Sequence, residues 1–146
     1  MAEIVLRHEA SAVGLARHLV IDSAGTAAVT GWGIDPTARR ALERRGYEPH
    51  RHLARQFEAA WFPDRELVIA LDQGHLRWLR GRAPELKYSE RVELLLSYAA
   101  APAQAPAALD VPDPYLGDEA DFESCLDLVQ AACLGLLARL EIELAR

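Results

Sequence analysis

The chain has 146 residues, 51% of them hydrophobic and 26% charged, which is typical of one globular domain with its own core. Its net charge of −6 disfavours a nucleic-acid partner, because phosphate backbones attract clustered lysine and arginine. No apolar run approaches the roughly 20 residues of a membrane helix, and the 2 cysteines are too few for a disulfide framework. We therefore expect a cytoplasmic protein with no membrane partner.

The first predicted helix runs from Ala2 to about Leu19, where apolar residues recur at a loosely helical spacing. No Ser, Thr, Asp or Asn precedes it, so this helix begins without the usual N-cap. The segment from Leu19 to Gly25 then predicts a strand that enters a loop.

A second helix is predicted from local end signals. Asp35 is expected to be its N-cap, Pro36 its first residue and Gly46 its C-cap. Four arginines on it are expected to form a solvated face. They are Arg39, Arg40, Arg44 and Arg45. A mixed stretch from His50 to Phe62 indicates a loop with a short helix.

Two further strands are predicted in the second half of the chain. Glu66 to Leu71 is a short continuous apolar run, the pattern of a strand buried on both faces, and Val92 to Leu96 is similar. Between them, Asp72 is expected to cap a helix that reaches about Gly81.

The C-terminal part is predicted to contain an extended Ala/Pro-rich connection and one long helix. The connection covers Ala99 to Ala108, and the helix runs from Asp118 through Ala145 with an apolar face. Alternation of helices and strands predicts an α/β fold, in which a parallel sheet is flanked by helices on both faces. No internal boundary is visible, so residues 1–146 are expected to form a single domain.

In open α/β sheets the functional site lies beyond the carboxyl ends of the strands. The loop there between Ser97 and Gly117 contains Asp113, with prolines on both sides that stiffen the backbone around the acid. A stiffened acid suits a proton donor, because the donor must stay within hydrogen-bond reach of the leaving oxygen. On this motif alone, a simple Asp-Pro turn is the alternative.

Several segments, taken in order, together resemble the low-molecular-weight protein tyrosine phosphatases. Each motif alone is weak evidence for the family, whereas the ordered set of motifs is specific to it. The matching segments are Asp22-Ser23-Ala24-Gly25-Thr26, Asp35-Pro36-Thr37-Ala38, His52-Leu53-Ala54-Arg55-Gln56, Leu67-Val68-Ile69-Ala70-Leu71-Asp72, Val92-Glu93-Leu94-Leu95-Leu96-Ser97-Tyr98 and Asp113-Pro114-Tyr115-Leu116-Gly117. The resemblance spans essentially the whole chain and implies the phosphotyrosine protein phosphatase I-like fold.

The resemblance also implies roles for individual residues. Asp113 would be the general acid, and afterwards the base that activates water to clear a phosphocysteine. Tyr115 would form an aromatic wall for the substrate ring, and His52 and Ser23 would brace the phosphate-binding loop. Trp32, in the loop after the first predicted strand, is a further candidate for substrate contact, with a packing or surface position as the alternative. The substrate would be a phosphotyrosine-containing protein, and no cofactor or metal would be needed.

The family's nucleophile is not found in this sequence. In the family, residues similar to Met1-Ala2-Glu3 directly follow a Cys-x5-Arg-Ser-Pro loop, itself preceded by a central first strand. We therefore expect an N-terminally truncated chain that lacks this strand and loop and hydrolyses no phosphate ester by itself. Cys133 and Arg139 satisfy Cys-x5-Arg literally, but six helical residues turn roughly 600° and leave the two side chains about 240° apart.

Three alternatives stay open or are disfavoured. Related phosphatases of this fold act on arginine phosphate, although Tyr115 favours tyrosine substrates because the arginine-directed relatives tend to have Phe there. Arsenate reductase of this fold is disfavoured, because no cysteine lies near the Glu66–Leu71 strand. A non-catalytic binding module is the alternative from another functional class. The oligomeric state cannot be predicted.

Overall fold

The computed structural model of the chain describes residues 1–49, 52–100 and 109–146, and these contain two short parallel strands among helices. The strands are β1 (Val68–Ala70) and β2 (Val92–Leu94), which pair with Val68 opposite Val92. The α-helices are α1 (Ala2–Ala12), α2 (Pro36–Arg44), α3 (Gln73–Arg80), α4 (Leu86–Ser89) and α5 (Glu119–Leu144). The 3₁₀ helices are Ala16–His18, Ala59–Asp64 and Leu95–Tyr98.

The core lies on both faces of the two-stranded sheet, because side chains of β1 alternate in direction. Val68 and Ala70 join a cluster formed with the 3₁₀ helix Ala59–Asp64 and with α3 and α4. Ile69 packs on the other face, against a cluster built from α1, α2 and α5. The predicted α/β architecture, a parallel sheet covered by helices on both faces, is confirmed.

The first helix is shorter than predicted, since α1 ends at Ala12 rather than near Leu19. Gly14 adopts φ +79°, a conformation that only glycine reaches without steric cost, and it turns the chain out of the helix. The amide of Leu15 donates back to the Ala10 carbonyl at 2.8 Å, which closes the helix end. The prediction of a helix that begins without a side-chain N-cap is confirmed at Met1.

The prediction of a strand from Leu19 to Gly25 is wrong in the described structure. Only Gly25 makes an isolated parallel bridge, with Gln56, and Val20 is 100% exposed. Arginine side chains hydrogen-bond to backbone carbonyls that a neighbouring strand would otherwise bind. Arg7 donates to the carbonyl of Ile21, and Arg55 donates to the carbonyl of Ser23. The segment is therefore fixed as an extended connection by arginines rather than by a ladder of backbone bonds.

The predicted ends of the other helices are confirmed. Asp35 accepts the amides of Thr37 and Ala38 at 2.8 and 3.0 Å, and Asp72 accepts the amide of His75 at 2.7 Å. Gly46 has φ +79° after α2, where a left-handed residue closes the helix. Each of these signals acts within one turn of the helix end that it determines.

The arginines at the end of α2 were predicted to be a solvated face; Arg40 and Arg44 are exposed as predicted, and both of them and Arg45 also pair with α5. Arg40 lies 3.5 Å from Glu119, Arg44 lies 3.0 Å from Glu123, and Arg45 lies 2.7 Å from both Glu123 and Asp127. Exposed pairs of this kind contribute about 0–1 kcal/mol each. Their main consequence is to fix how α2 lies across α5.

Some predictions concern residues outside the described part of the chain. The extended connection predicted for Ala99 to Ala108 lies mostly outside them, as does His50, the first residue of the predicted mixed stretch. The short helix expected there corresponds to the 3₁₀ helix Ala59–Asp64, whereas α4 was not predicted. In the described part of the chain, no helix is long and apolar enough to cross a bilayer.

Candidate active site

The loop that contains Asp113 is attached to the carboxyl end of β1. The amide of Val111 donates to the Leu71 carbonyl at 2.8 Å, one residue beyond the strand. The carboxylate of Asp110 accepts the amide of Gln73, at the start of α3, at 2.8 Å. These two bonds place the loop at the edge of the sheet where sites of α/β proteins form.

Asp113 is exposed at the start of a tight turn in this loop. Its Oδ1 atom accepts the amide of Tyr115 at 3.0 Å, and the amide of Gly117 donates to the Pro114 carbonyl at 2.8 Å. A side chain at Gly117 would meet the carboxylate of Asp121 at 2.1 Å, so the turn packs closely on the capping box of α5. Among the described residues Oδ2 of Asp113 accepts no hydrogen bond, which leaves it available to a bound molecule.

The Asp113 carboxylate and the start of α1 both act electrostatically on Cys125 of α5. Burial raises the pKa of the Cys125 thiol; the N-terminal amine at Met1 opposes this effect and the Asp113 carboxylate adds to it. The amine and the Asp113 carboxylate therefore both act on the same thiol. The first amides of α1 have no partner within the helix, and such amides favour anions.

Glu3, in the first turn of α1, joins the two residues predicted to brace the site. The hydroxyl of Ser23 donates to Glu3 Oε2 at 2.5 Å, and His52 Nδ1 lies 3.4 Å from the same atom. Arg7 donates to Glu3 Oε1 at 2.9 Å. Burial would raise the pKa of Glu3, but the hydrogen bonds from Ser23 and Arg7 outweigh it and hold this pKa below its ordinary value.

Arg55 holds Ser23 in place from the other side. Its Nε donates to the Ser23 carbonyl at 3.0 Å, and its Nη2 donates to Asp22 at 2.7 Å. Arg65 binds the same carboxylate at 2.6 Å, and both guanidinium groups lie over the ring of Trp61. Sequence reasoning missed the roles of Glu3 and Arg55, although both residues lie inside the matched motifs.

The five predicted site residues fall into separate groups. Ser23 and His52 meet at Glu3, and Asp113 and Tyr115 share one turn. The loop of Trp32 is joined to the segment after His52, because the amide of Ala54 donates to the Trp32 carbonyl at 2.7 Å. Tyr115 and Trp32 are 59% and 62% exposed, so neither ring packs in the core.

Neither cysteine is placed to act as a nucleophile at this turn. Cys125 and Cys133 are both buried on the core face of α5, and burial raises the pKa of the Cys133 thiol to about 12. Arg139 instead donates to Glu93 and Glu143 at 2.9 and 2.8 Å. The literal Cys-x5-Arg pattern in α5 therefore does not enclose a phosphate, as its helical spacing predicts.

A metal site was not expected from the sequence. Within residues 1–49, 52–100 and 109–146, no group of three or more His, Cys, Asp and Glu side chains is arranged to hold a metal ion.

Glu3→Gln is predicted to lower the free energy of unfolding by about 1–2 kcal/mol at pH 7, because the Ser23 and Arg7 bonds to a charged acceptor become bonds to a neutral one. The folded pKa of Glu3 is depressed, so its contribution is present above the ordinary pKa of 4.5 and is lost as pH falls further. Urea titrations should show the difference from wild type shrinking towards pH 3. A difference that stays constant with pH would contradict this role.

The chain is similar in sequence to known proteins. A family model described as low molecular weight phosphotyrosine protein phosphatase matches residues 1–146. A low molecular weight protein-tyrosine-phosphatase of Streptomyces coelicolor is 47% identical over 142 residues, which cover 94% of this chain and 83% of that protein.

Two solved structures are similar in fold over nearly the whole chain. A protein tyrosine phosphatase of Entamoeba histolytica, crystallised with Hepes in its active site, superposes with a TM-score of 0.88 at 26% identity, over 97% of this chain and 88% of that one. YfkJ of Bacillus subtilis gives a TM-score of 0.81 at 31% identity, over 97% and 86%.

Proposed function

The chain belongs to the low molecular weight phosphotyrosine protein phosphatase family, and from that premise we propose that it supplies the proton-transfer half of a phosphatase site that acts on phosphotyrosine in proteins. The observation that carries the proposal is the turn at Asp113. This turn holds a carboxylate at the edge of the sheet, and its Oδ2 accepts no hydrogen bond from the part of the chain that the structure describes.

Such a carboxylate is useful because a phenolate is a poor leaving group. A tyrosine hydroxyl has a pKa near 10, so the ester bond breaks far more readily when an acid protonates the leaving oxygen. Asp113 would donate that proton and then, as a base, activate the water that hydrolyses the phosphocysteine. Tyr115 and Trp32, both exposed, would bound the ring of the substrate.

The other half of the chemistry needs a thiolate and donors for the phosphoryl oxygens. The first amides of α1 are suited to the second task, and the Glu3–Ser23–His52 cluster would brace a loop beside them. Cys125 and Cys133 are poorly suited to supply the thiolate, because both are buried and burial raises the pKa of each thiol. We therefore propose that neither Cys125 nor Cys133 is the nucleophile of the site.

Residues 1–146 alone are predicted to hydrolyse no aryl phosphate. The assay is release of p-nitrophenol from p-nitrophenyl phosphate, with an active family member as positive control and circular dichroism to verify that the chain is folded. Turnover that disappears in Asp113→Ala would show that the chain contains a working nucleophile after all. Turnover that persists in Asp113→Ala would point to a contaminant.

Two narrower alternatives remain proposals. An arginine-phosphate substrate would use the same acid, and Tyr115 favours the tyrosine ester. A non-catalytic binding module is favoured by the burial of both cysteines, and it requires the isolated chain to bind a phosphotyrosine peptide without cleaving it. Isothermal titration of such a peptide, beside its unphosphorylated form, separates this function from catalysis.

A further inference from the structure

The turn that carries Asp113 runs directly into the first turn of α5. Val111 and Phe122, which flank this stretch, are 8% and 3% exposed and belong to the same core cluster. Between them, Asp113, Tyr115 and Gly117 are all exposed. The core therefore fixes the two ends of the stretch, and the orientation of the acid depends on contacts within the stretch itself.

Asp121 joins this stretch to α5 through its carboxylate. Oδ2 of Asp121 accepts the amide of Asp118 at 2.9 Å, and the side chain of Asp118 accepts the amide of Asp121 at 3.1 Å. This reciprocal pair is a capping box, which binds amides that the helix leaves unpaired at its start.

Gly117 lies against the same carboxylate. A Cβ atom added at Gly117 would be 2.7 Å from Cγ and 2.8 Å from Cβ of Asp121. Rotation of the Asp121 side chain does not move its Cβ atom, so the clash cannot be relieved by a change of rotamer. Only glycine therefore fits between the turn and the helix.

The turn passes this constraint on to Asp113. The amide of Gly117 donates to the Pro114 carbonyl at 2.8 Å, which closes the turn. Inside it, the amide of Tyr115 donates to Oδ1 of Asp113 at 3.0 Å. Because the two oxygens of a carboxylate lie in one rigid plane, a bond to Oδ1 also fixes where Oδ2 points. The direction of Oδ2 thus depends on where the turn holds the Tyr115 amide.

We propose that Asp121 and Gly117 are positioning residues for the general acid, in addition to their part at the start of α5. Asp121 holds the first turn of the helix, and Gly117 permits the close approach of the turn to it. Together they keep the Tyr115 amide where it binds Asp113. This role rests on the proposed function, since it matters for catalysis only if Asp113 transfers a proton within hydrogen-bond reach of the leaving oxygen.

A simple capping role is the alternative, and the two halves of the capping box distinguish it. Asp121→Ala removes the acceptor of the Asp118 amide, which is the bond nearest the turn. Asp118→Ala removes the acceptor of the Ala120 and Asp121 amides and leaves that bond in place. Both changes weaken the start of α5, so a purely structural effect would be similar in the two variants.

Hydrogen exchange of individual backbone amides, measured by NMR on the 146-residue chain, reports on these bonds. In Asp121→Ala, the Gly117 and Tyr115 amides should exchange about 2- to 10-fold faster, the effect of losing one hydrogen bond. Asp121→Asn keeps an acceptor oxygen and should restore slow exchange. In the matched control Asp118→Ala, the same two amides should exchange as in the wild type.

Gly117→Ala tests the same path from the side of the turn. The added methyl group should separate the turn from the helix and accelerate exchange of the Tyr115 amide to a similar extent. The amide of Thr37, bound at 2.8 Å by Asp35 in the cap of α2, is the internal control. Its exchange should be unchanged in every variant, which would show that the effect at Tyr115 is local.

Three outcomes would overturn the positioning role. They are a wild-type Tyr115 amide that exchanges as fast as in Asp113→Ala, a rate at Tyr115 that is unchanged in both Asp121→Ala and Gly117→Ala, and an equal acceleration in Asp118→Ala. None of them depends on turnover, so each would leave the proposed function of Asp113 standing. A failure of that function would instead appear in assays of phosphate-ester hydrolysis, and it would leave the exchange rates unchanged.

Discussion

Gly135→Ala is expected to lower the free energy of unfolding by about 3 kcal/mol or more, because overpacking against backbone cannot be relieved by moving a side chain. A Cβ atom at Gly135 would lie 1.8 Å from the carbonyl oxygen of Tyr98 and 2.9 Å from its carbonyl carbon. The 3₁₀ helix Leu95–Tyr98 and α5 would have to move apart to admit one methyl group.

Urea denaturation followed by circular dichroism measures this loss directly. The matched control is Gly33→Ala, where the added Cβ has no atom within 4 Å and the backbone is not in the left-handed region, so a change within about 0.5 kcal/mol is expected. Equal stabilities of Gly135→Ala and wild type would mean that the close approach of the two elements is not required by the fold.

The contact at Gly135 also explains how β2 is tied to the helix layer. Directly beside it, the hydroxyl of Tyr98 donates to Glu93 at 2.7 Å, and Arg139 donates to both. Glu93 lies on β2, so this polar cluster joins the strand, the turn that follows it and α5. The close backbone approach and the polar cluster support each other, because each requires the same spacing between turn and helix.

Helix ends could be predicted from sequence because their causes are local. Asp35, Asp72 and Asp118 each bind amides two or three residues away, and those bonds do not depend on the rest of the fold. The strand predicted after Leu19 failed for the opposite reason. A strand exists only beside a partner, and whether the carbonyls of Ile21 and Ser23 meet a strand or an arginine is decided by distant residues.

The site shows the same division between local and distant causes. The turn at Asp113 could be predicted, since two prolines and a glycine within six residues determine it. The convergence of Ser23 and His52 on Glu3 could not, because 20 residues separate Ser23 from Glu3 and nothing in the spacing indicates that they touch. Resemblance to the family pointed to Ser23 and His52, while the carboxylate that joins them emerged only from the three-dimensional arrangement.

The largest functional effect is expected from adding a nucleophile loop to the chain. A fusion that places a strand and a Cys-x5-Arg-Ser-Pro loop from an active family member ahead of Met1 should hydrolyse p-nitrophenyl phosphate. Within that fusion, Asp113→Ala should lower kcat by about 10²- to 10⁴-fold, the usual contribution of a positioned general acid. The control is Asp127→Ala, an exposed carboxylate elsewhere on the chain, which should leave kcat unchanged.

The choice of leaving group separates an acid from a residue that merely shapes the loop. The contribution of a general acid increases with the basicity of the oxygen that it protonates. Asp113→Ala should therefore slow the hydrolysis of phenyl phosphate more than that of p-nitrophenyl phosphate, whose leaving group is stable as an anion. A loss that is equal for both substrates would assign Asp113 to loop structure, through its bond to the Tyr115 amide. Because a stability defect lowers both rates together, only proton donation gives the unequal loss.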